Sequence, residues 1–135
     1  MHISPANKPL NVTFWIAQLF LAFIFGASGL LKTTSAIPDL HLKLAWTAAL
    51  PDLMVRAIGA CELLGAIGVI LPAATRIKPR LTPLAALGLA TIMLLASAFH
   101  LARGEGAFVP STLGIALIAI IVAWGRFTRI PIAPR

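Results

Sequence analysis

The chain has 135 residues, is 59% hydrophobic and only 11% charged, and has a mean hydropathy of +0.95. A soluble domain of this size carries about a quarter charged residues, so the composition excludes an ordinary water-soluble fold and points to an integral membrane protein. The net charge of +7 gathers at the ends of apolar runs, where it meets lipid headgroups; nucleic acid is not the expected partner. A lone cysteine, Cys61, excludes an internal disulfide and unaided dithiol exchange.

A bilayer core of about 30 Å needs roughly 20 helical residues, and the chain contains four runs near that length. The first spans about 11–31. Its apolar core is too long for a signal peptide and Lys8 alone makes a weak basic leader, so it is expected to be retained. Residues 38–49 are too polar to span, but Leu40, Leu44 and Ala48 recur at helical spacing. Asp39 after Pro38 is placed to cap a short interfacial helix, and Lys43 and Trp46 suit a headgroup position. The second span covers about 53–71 and is expected to stop at Pro72. The third covers 83–102 and the fourth 108–124, with Pro110 tolerable in a first turn. The expected fold class is all-α: one domain over residues 1–135, a four-transmembrane-helix bundle with an interfacial helix between spans one and two.

Lysines and arginines divide unequally between the two ends, with Lys8, Arg76, Lys78, Arg80, Arg126, Arg129 and Arg135 on one side and Lys32, Lys43, Arg56 and Arg103 on the other. That asymmetry predicts both termini in the cytoplasm.

Glu62 stands in the apolar stretch GACELLGAIG, residues 59–68. On a wheel of about 100° per residue, Gly59, Gly65, Ala66, Ile58 and Val69 fall within roughly 60° of it. Small residues let membrane helices approach closely, and charged groups within spans face the bundle interior. Glu62 is therefore expected to point inward, near the membrane midplane. His100, Ser97, Ala96, Met93 and Ala86 share a face of the third span, and Asn11, Gln18, Gly29 and Lys32 form a stripe on the first, joined by Trp15. Between Thr112 and Trp124 the fourth span offers almost nothing polar.

These faces predict an outward-opening cavity lined by Lys32, Asp52, Arg56 and His100, with Glu62 at its floor. Glu62 and His100 are the candidate catalytic residues, and Lys32, Arg56, Gln18, Met93 and Ser97 the candidate ligand-binding ones. For Glu62 the bland alternative is a carboxyl that pins helices together. For His100 it is a wetted helix-end side chain, and for Lys32 and Arg56 it is snorkelling to the surface. Cys61 reads as a small buried apolar residue, and the three tryptophans as interface anchors. A haem held by two axial ligands is disfavoured, because no second histidine lies within a span. Asp39, His41 and Asp52 lack any recognised metal-ligand spacing, so no metal site is expected.

FGASGLLKTT (residues 25–34), the run from Ile58 to His100 containing CELLGAIGVILP, and VAWGR (residues 122–126) resemble the DoxX-like family of small bacterial four-helix membrane proteins. The resemblance covers nearly the whole chain and implies a four-span bundle in the bacterial inner membrane with cytoplasmic termini. It further implies an accessory or quinone-interacting role beside a membrane oxidoreductase partner. It supplies no catalytic residue set, and no cofactor motif is evident; quinone is the ligand that the implied role brings. Two alternatives stay open at this stage. One is a stand-alone isomerase or hydrolase acting on a small lipophilic substrate with Glu62 as general acid or base. The other is a structural or transport protein, for which assembly into a homo-oligomer could compensate for the small helix count.

Overall fold

The computed structural model describes residues 7–135. Its long helices are α1 (Lys8–Thr34), α3 (Asp52–Thr75), α4 (Leu81–Ala102) and α5 (Val109–Trp124), and α2 (Ile37–Lys43) is a short helix between α1 and α3. All four long segments are long and apolar enough to cross a membrane, α5 counted with its flanking turns from Gly106 to Arg129. Among the described residues there is no strand. Two ends can be distinguished. The terminal end holds the start of α1, the α3–α4 turn and the end of α5; the far end holds α2, the start of α3, the end of α4 and the start of α5.

Neighbouring helices run antiparallel in the order α1, α3, α4, α5, and α5 closes lightly back on α1. Phe14, Leu21 and Phe25 of α1 meet Ala66 and Val69 of α3, Ala86, Leu89 and Ala90 of α4, and Ala119, Val122 and Ala123 of α5. The alanines keep the helix axes close, which matters because lipid tails offer no hydrophobic drive to association. Phe23, Leu53, Leu64 and Leu95 point outward, as side chains that meet acyl chains should. The expectation of an all-α, four-span bundle with a short intervening helix agrees with this architecture.

Local rules explain most helix ends. Pro9 opens α1, and Lys32 sits in its last turn, where a cation favours the helix dipole. Asp39 does not cap α2: the capping position is Ala36, and Asp39 instead lies in the first turn, where a carboxylate still suits the dipole. Pro72 does not end α3 either. The helix runs one turn further, to Thr75, and is broken by Arg76 in the left-handed conformation (φ 60°). Pro72 removes the amide donor to the Gly68 carbonyl and sets its ring against that carbonyl, a local cost that the packed helix tolerates.

Candidate functional site

The approach of α1 to α3 is set by two glycines. A Cβ on Gly29 would lie 2.6 Å from the Gly59 carbonyl oxygen, and one on Gly59 would lie 2.6 Å from Lys32 Cβ. Each glycine stands three residues before a charged partner, in GLLK (29–32) and GACE (59–62). Lys32 lies level with Gly59 on the antiparallel helix, so Glu62, three residues further along α3, sits about 4.5 Å from it along the axis at 1.5 Å per residue. Helical side chains lean toward their own N-terminus. Lys32 therefore leans back toward the terminal end and Glu62 toward the far end, and the two meet.

Lys32 Nζ donates to both carboxylate oxygens of Glu62 at 2.9 Å and to Ser28 Oγ at 2.6 Å. The pair is closed off, with Glu62 2% and Lys32 4% exposed. Arg56 fastens the same corner: its guanidinium donates to the carbonyls of Lys32 and Ser35, both at 2.6 Å, serving the unpaired carbonyls at the C-terminus of α1. The Trp46 ring lies over Lys32, 5.3 Å from Nζ to the centroid.

Trp46 also meets His100 in a T-shaped contact, with ring centroids 6.1 Å apart, and Phe99 in another at the same spacing. Phe108 lies tilted against the imidazole, with ring centroids 4.8 Å apart. His100 is 6% exposed, and its Nδ1 lies 2.7 Å from Glu105 Oε2. This contact depends on how α4 ends. Gly104 takes φ 73°, a conformation natural to glycine, and the chain turns back so that the Glu105 amide donates to the His100 carbonyl at 2.8 Å. Arg103 holds the other carboxylate oxygen, with Nε at 3.0 Å.

Hydrogen bonds from Arg103 and then His100 depress the Glu105 pKa below its ordinary value of 4.5, so near neutral pH the carboxylate only accepts. Nδ1 then carries the proton, and Nε2 has no hydrogen-bond partner among the described residues. Because the folded-state pKa is lowered, whatever stability the contact adds is present above the unfolded value and lost as pH falls through the folded one. The His100–Glu105 contact should thus persist from neutral pH to below 4.5 and open only in stronger acid. Imidazole proton shifts followed by NMR during acid titration would check this; loss of the contact already at pH 5–6 would contradict it.

The sequence-predicted site residues separate into groups. Lys32, Glu62 and Arg56 come together, and His100 reaches them only through Trp46; no hydrogen bond joins His100 to Glu62. The expected open cavity is a covered ion pair instead, because Trp46 and Arg56 close over it. Asp52 does not line it: its carboxylate is largely exposed and faces His41 at 3.8 Å. Ser97 pairs with Thr112 Oγ1 of α5 at 2.7 Å, while Met93 packs against the apolar core. Cys61 is exposed rather than buried, since one residue's rotation from inward-facing Glu62 turns it toward lipid.

Gln18 belongs to a second polar cluster, at the terminal end. Its side chain accepts from Arg126 Nε at 2.7 Å and donates to the Val69 carbonyl, while Arg126 Nη1 donates to Asn11 Oδ1 at 2.7 Å. The sequence places Arg126 among the end charges beyond the fourth span, but the structure buries it. A π-helical turn over Gly125–Arg129 extends α5, and Gly125 lies so close to the Phe14 ring that an added Cβ would force the ring to move. The spacing of Ala119, Val122 and Arg126 was the available signal for an inward face.

The chain belongs to the DoxX-like family, whose model matches residues 16–123. No curated protein and no solved structure matches it.

Proposed function

We propose that this DoxX-like membrane protein is a quinone-interacting accessory subunit of a membrane oxidoreductase, set in the bacterial inner membrane with both termini cytoplasmic. One observation carries the reading: His100 has Nδ1 tied to Glu105, an Nε2 with no hydrogen-bond partner among the described residues, and ring contacts with Trp46, Phe99 and Phe108. Aromatic rings beside a proton-exchanging nitrogen are the residue types that suit a flat, apolar ring bearing carbonyl oxygens. Reduction of a quinone to a quinol consumes two electrons and two protons, and the electrons are the partner's part. The chain's own part is positional and protonic. Glu105 fixes the imidazole tautomer, as a carboxylate behind a working histidine does, and Nε2 takes or gives a proton. The Lys32–Glu62 pair holds α1 and α3 together beneath Trp46 and keeps a cation under the indole face.

A short-chain benzoquinone titrated into the protein in nanodiscs should quench Trp46 fluorescence, with Trp46→Phe removing the signal. His100→Phe should weaken binding at least tenfold, about 1.4 kcal/mol, and Glu105→Gln by a smaller factor. Unchanged affinity in His100→Phe would overturn the assignment. Turnover of lipophilic epoxides or ketones by the protein alone would favour a stand-alone enzyme.

A further inference from the structure

Arg126 is 3% exposed, yet among the described residues no carboxylate forms an ion pair with it. The acidic side chains are Asp39, Asp52, Glu62 and Glu105; Glu62 is bonded to Lys32, and the other three lie at the far end, with Arg126 at the terminal end. Among the described residues the guanidinium meets only neutral acceptors and the rings of Phe14 and Trp15, and Nη2 has no hydrogen-bond partner. A buried charge without a counterion is costly, so this one calls for an anion.

Arg126 lines a groove of about 1040 Å³ together with Lys78, Arg80, Leu81, Phe127 and Pro131. The groove is a built feature. Its two walls, the α3–α4 turn and the C-terminal segment, are tied by Arg76 Nε donating to the Ala133 carbonyl at 3.0 Å and the Arg135 amide donating to the Arg76 carbonyl at 3.1 Å. Both Arg76 and Lys78 hold positive φ, a strained conformation that persists only where surrounding contacts impose it. Three cationic residues thus line one groove beside exposed apolar side chains at the end of the spanning helices, the level of lipid headgroups.

We infer that this groove holds the phosphate of an anionic phospholipid, with Arg126, Lys78 and Arg80 around the headgroup and the acyl chains running along Leu81 and Phe127. Guanidinium groups match phosphate oxygens with paired hydrogen bonds. The site lies at the opposite end from His100 and does not depend on quinone binding.

The test is native mass spectrometry of the protein released from nanodiscs containing equal phosphatidylglycerol and phosphatidylcholine. The wild type should retain one phosphatidylglycerol. Lys78→Gln/Arg80→Gln should lose at least tenfold in retention with an unchanged melting temperature, whereas Lys43→Gln, an exposed charge removed at the far end, should retain lipid normally. Arg126→Gln should also lose it, and the surface double variant carries the test if Arg126→Gln does not fold. Equal retention of both lipids, or normal retention in Lys78→Gln/Arg80→Gln, would overturn the inference. In detergent, stabilisation by inorganic phosphate as large as that by phosphatidylglycerol would assign the groove to free phosphate and reject the lipid.

Discussion

Glu62→Leu is expected to lower folding stability by about 3–5 kcal/mol, because it leaves the Lys32 ammonium buried with only Ser28 to receive it. Lys32→Met should cost a similar amount by stranding the carboxylate. Neither number measures what the pair contributes. Taking two charges out of water is itself expensive, and well-packed apolar replacements often do as well as a buried ion pair or better. The double variant Lys32→Met/Glu62→Leu should therefore recover most of the loss. Reversible unfolding in mixed micelles, run as a double-mutant cycle, measures the coupling directly. Two single losses below 1 kcal/mol that simply add would show that the 2.9 Å contacts are energetically idle.

The second large effect lies at the helix crossing. Alanine has the higher helix propensity, by about 1 kcal/mol over glycine, so propensity alone favours Gly→Ala anywhere in these helices. At Gly88, where an added Cβ meets nothing within 4 Å, that gain should stand, and Gly88→Ala should be neutral or slightly stabilising. At Gly59 the new Cβ would lie 2.6 Å from Lys32 Cβ and 3.1 Å from the Gly29 carbonyl oxygen. Neither neighbour is the far end of a flexible side chain, so α1 and α3 must part. Overpacking costs about 1–3 kcal/mol, which exceeds the propensity gain, and Gly59→Ala should be a net loss with the opposite sign to Gly88→Ala. Identical shifts in melting temperature for the two would show that the close approach does not constrain the fold.

Much of this arrangement could be read from the chain. Apolar run lengths define the spans, and the small-residue face around Glu62 correctly turns it inward. What escaped the reading was mostly non-local. The sequence places Lys32 on the same cavity as Glu62, with snorkelling as its alternative; that the two bond directly depends on the lean of antiparallel side chains across a crossing, which appears only once α1 and α3 are paired. Trp46 looked like an interface anchor, since nothing in its own segment says that it folds over an ammonium and a histidine. Arg126 lay beyond the expected end of the fourth span, and the π-helical turn that carries it inward has no simple periodic signature. Cys61 was legible after all: the same wheel that directs Glu62 into the bundle rotates its neighbour out.

The opposed lean of Lys32 and Glu62 has a mechanical consequence. Glycine faces are smooth, and two helices meeting through Gly29 and Gly59 could slide along each other at little cost in packing. The ion pair removes that freedom. Because both side chains reach along the helix axis, sliding α1 by one turn, about 5.4 Å, would stretch or compress the bridge far beyond its 2.9 Å contacts. A single buried polar contact can specify the register of packed helices in this way. The charge pair thus acts as a detent, a stop that holds two smooth rods at one axial setting and so holds fixed the loop between them, the segment that carries Trp46.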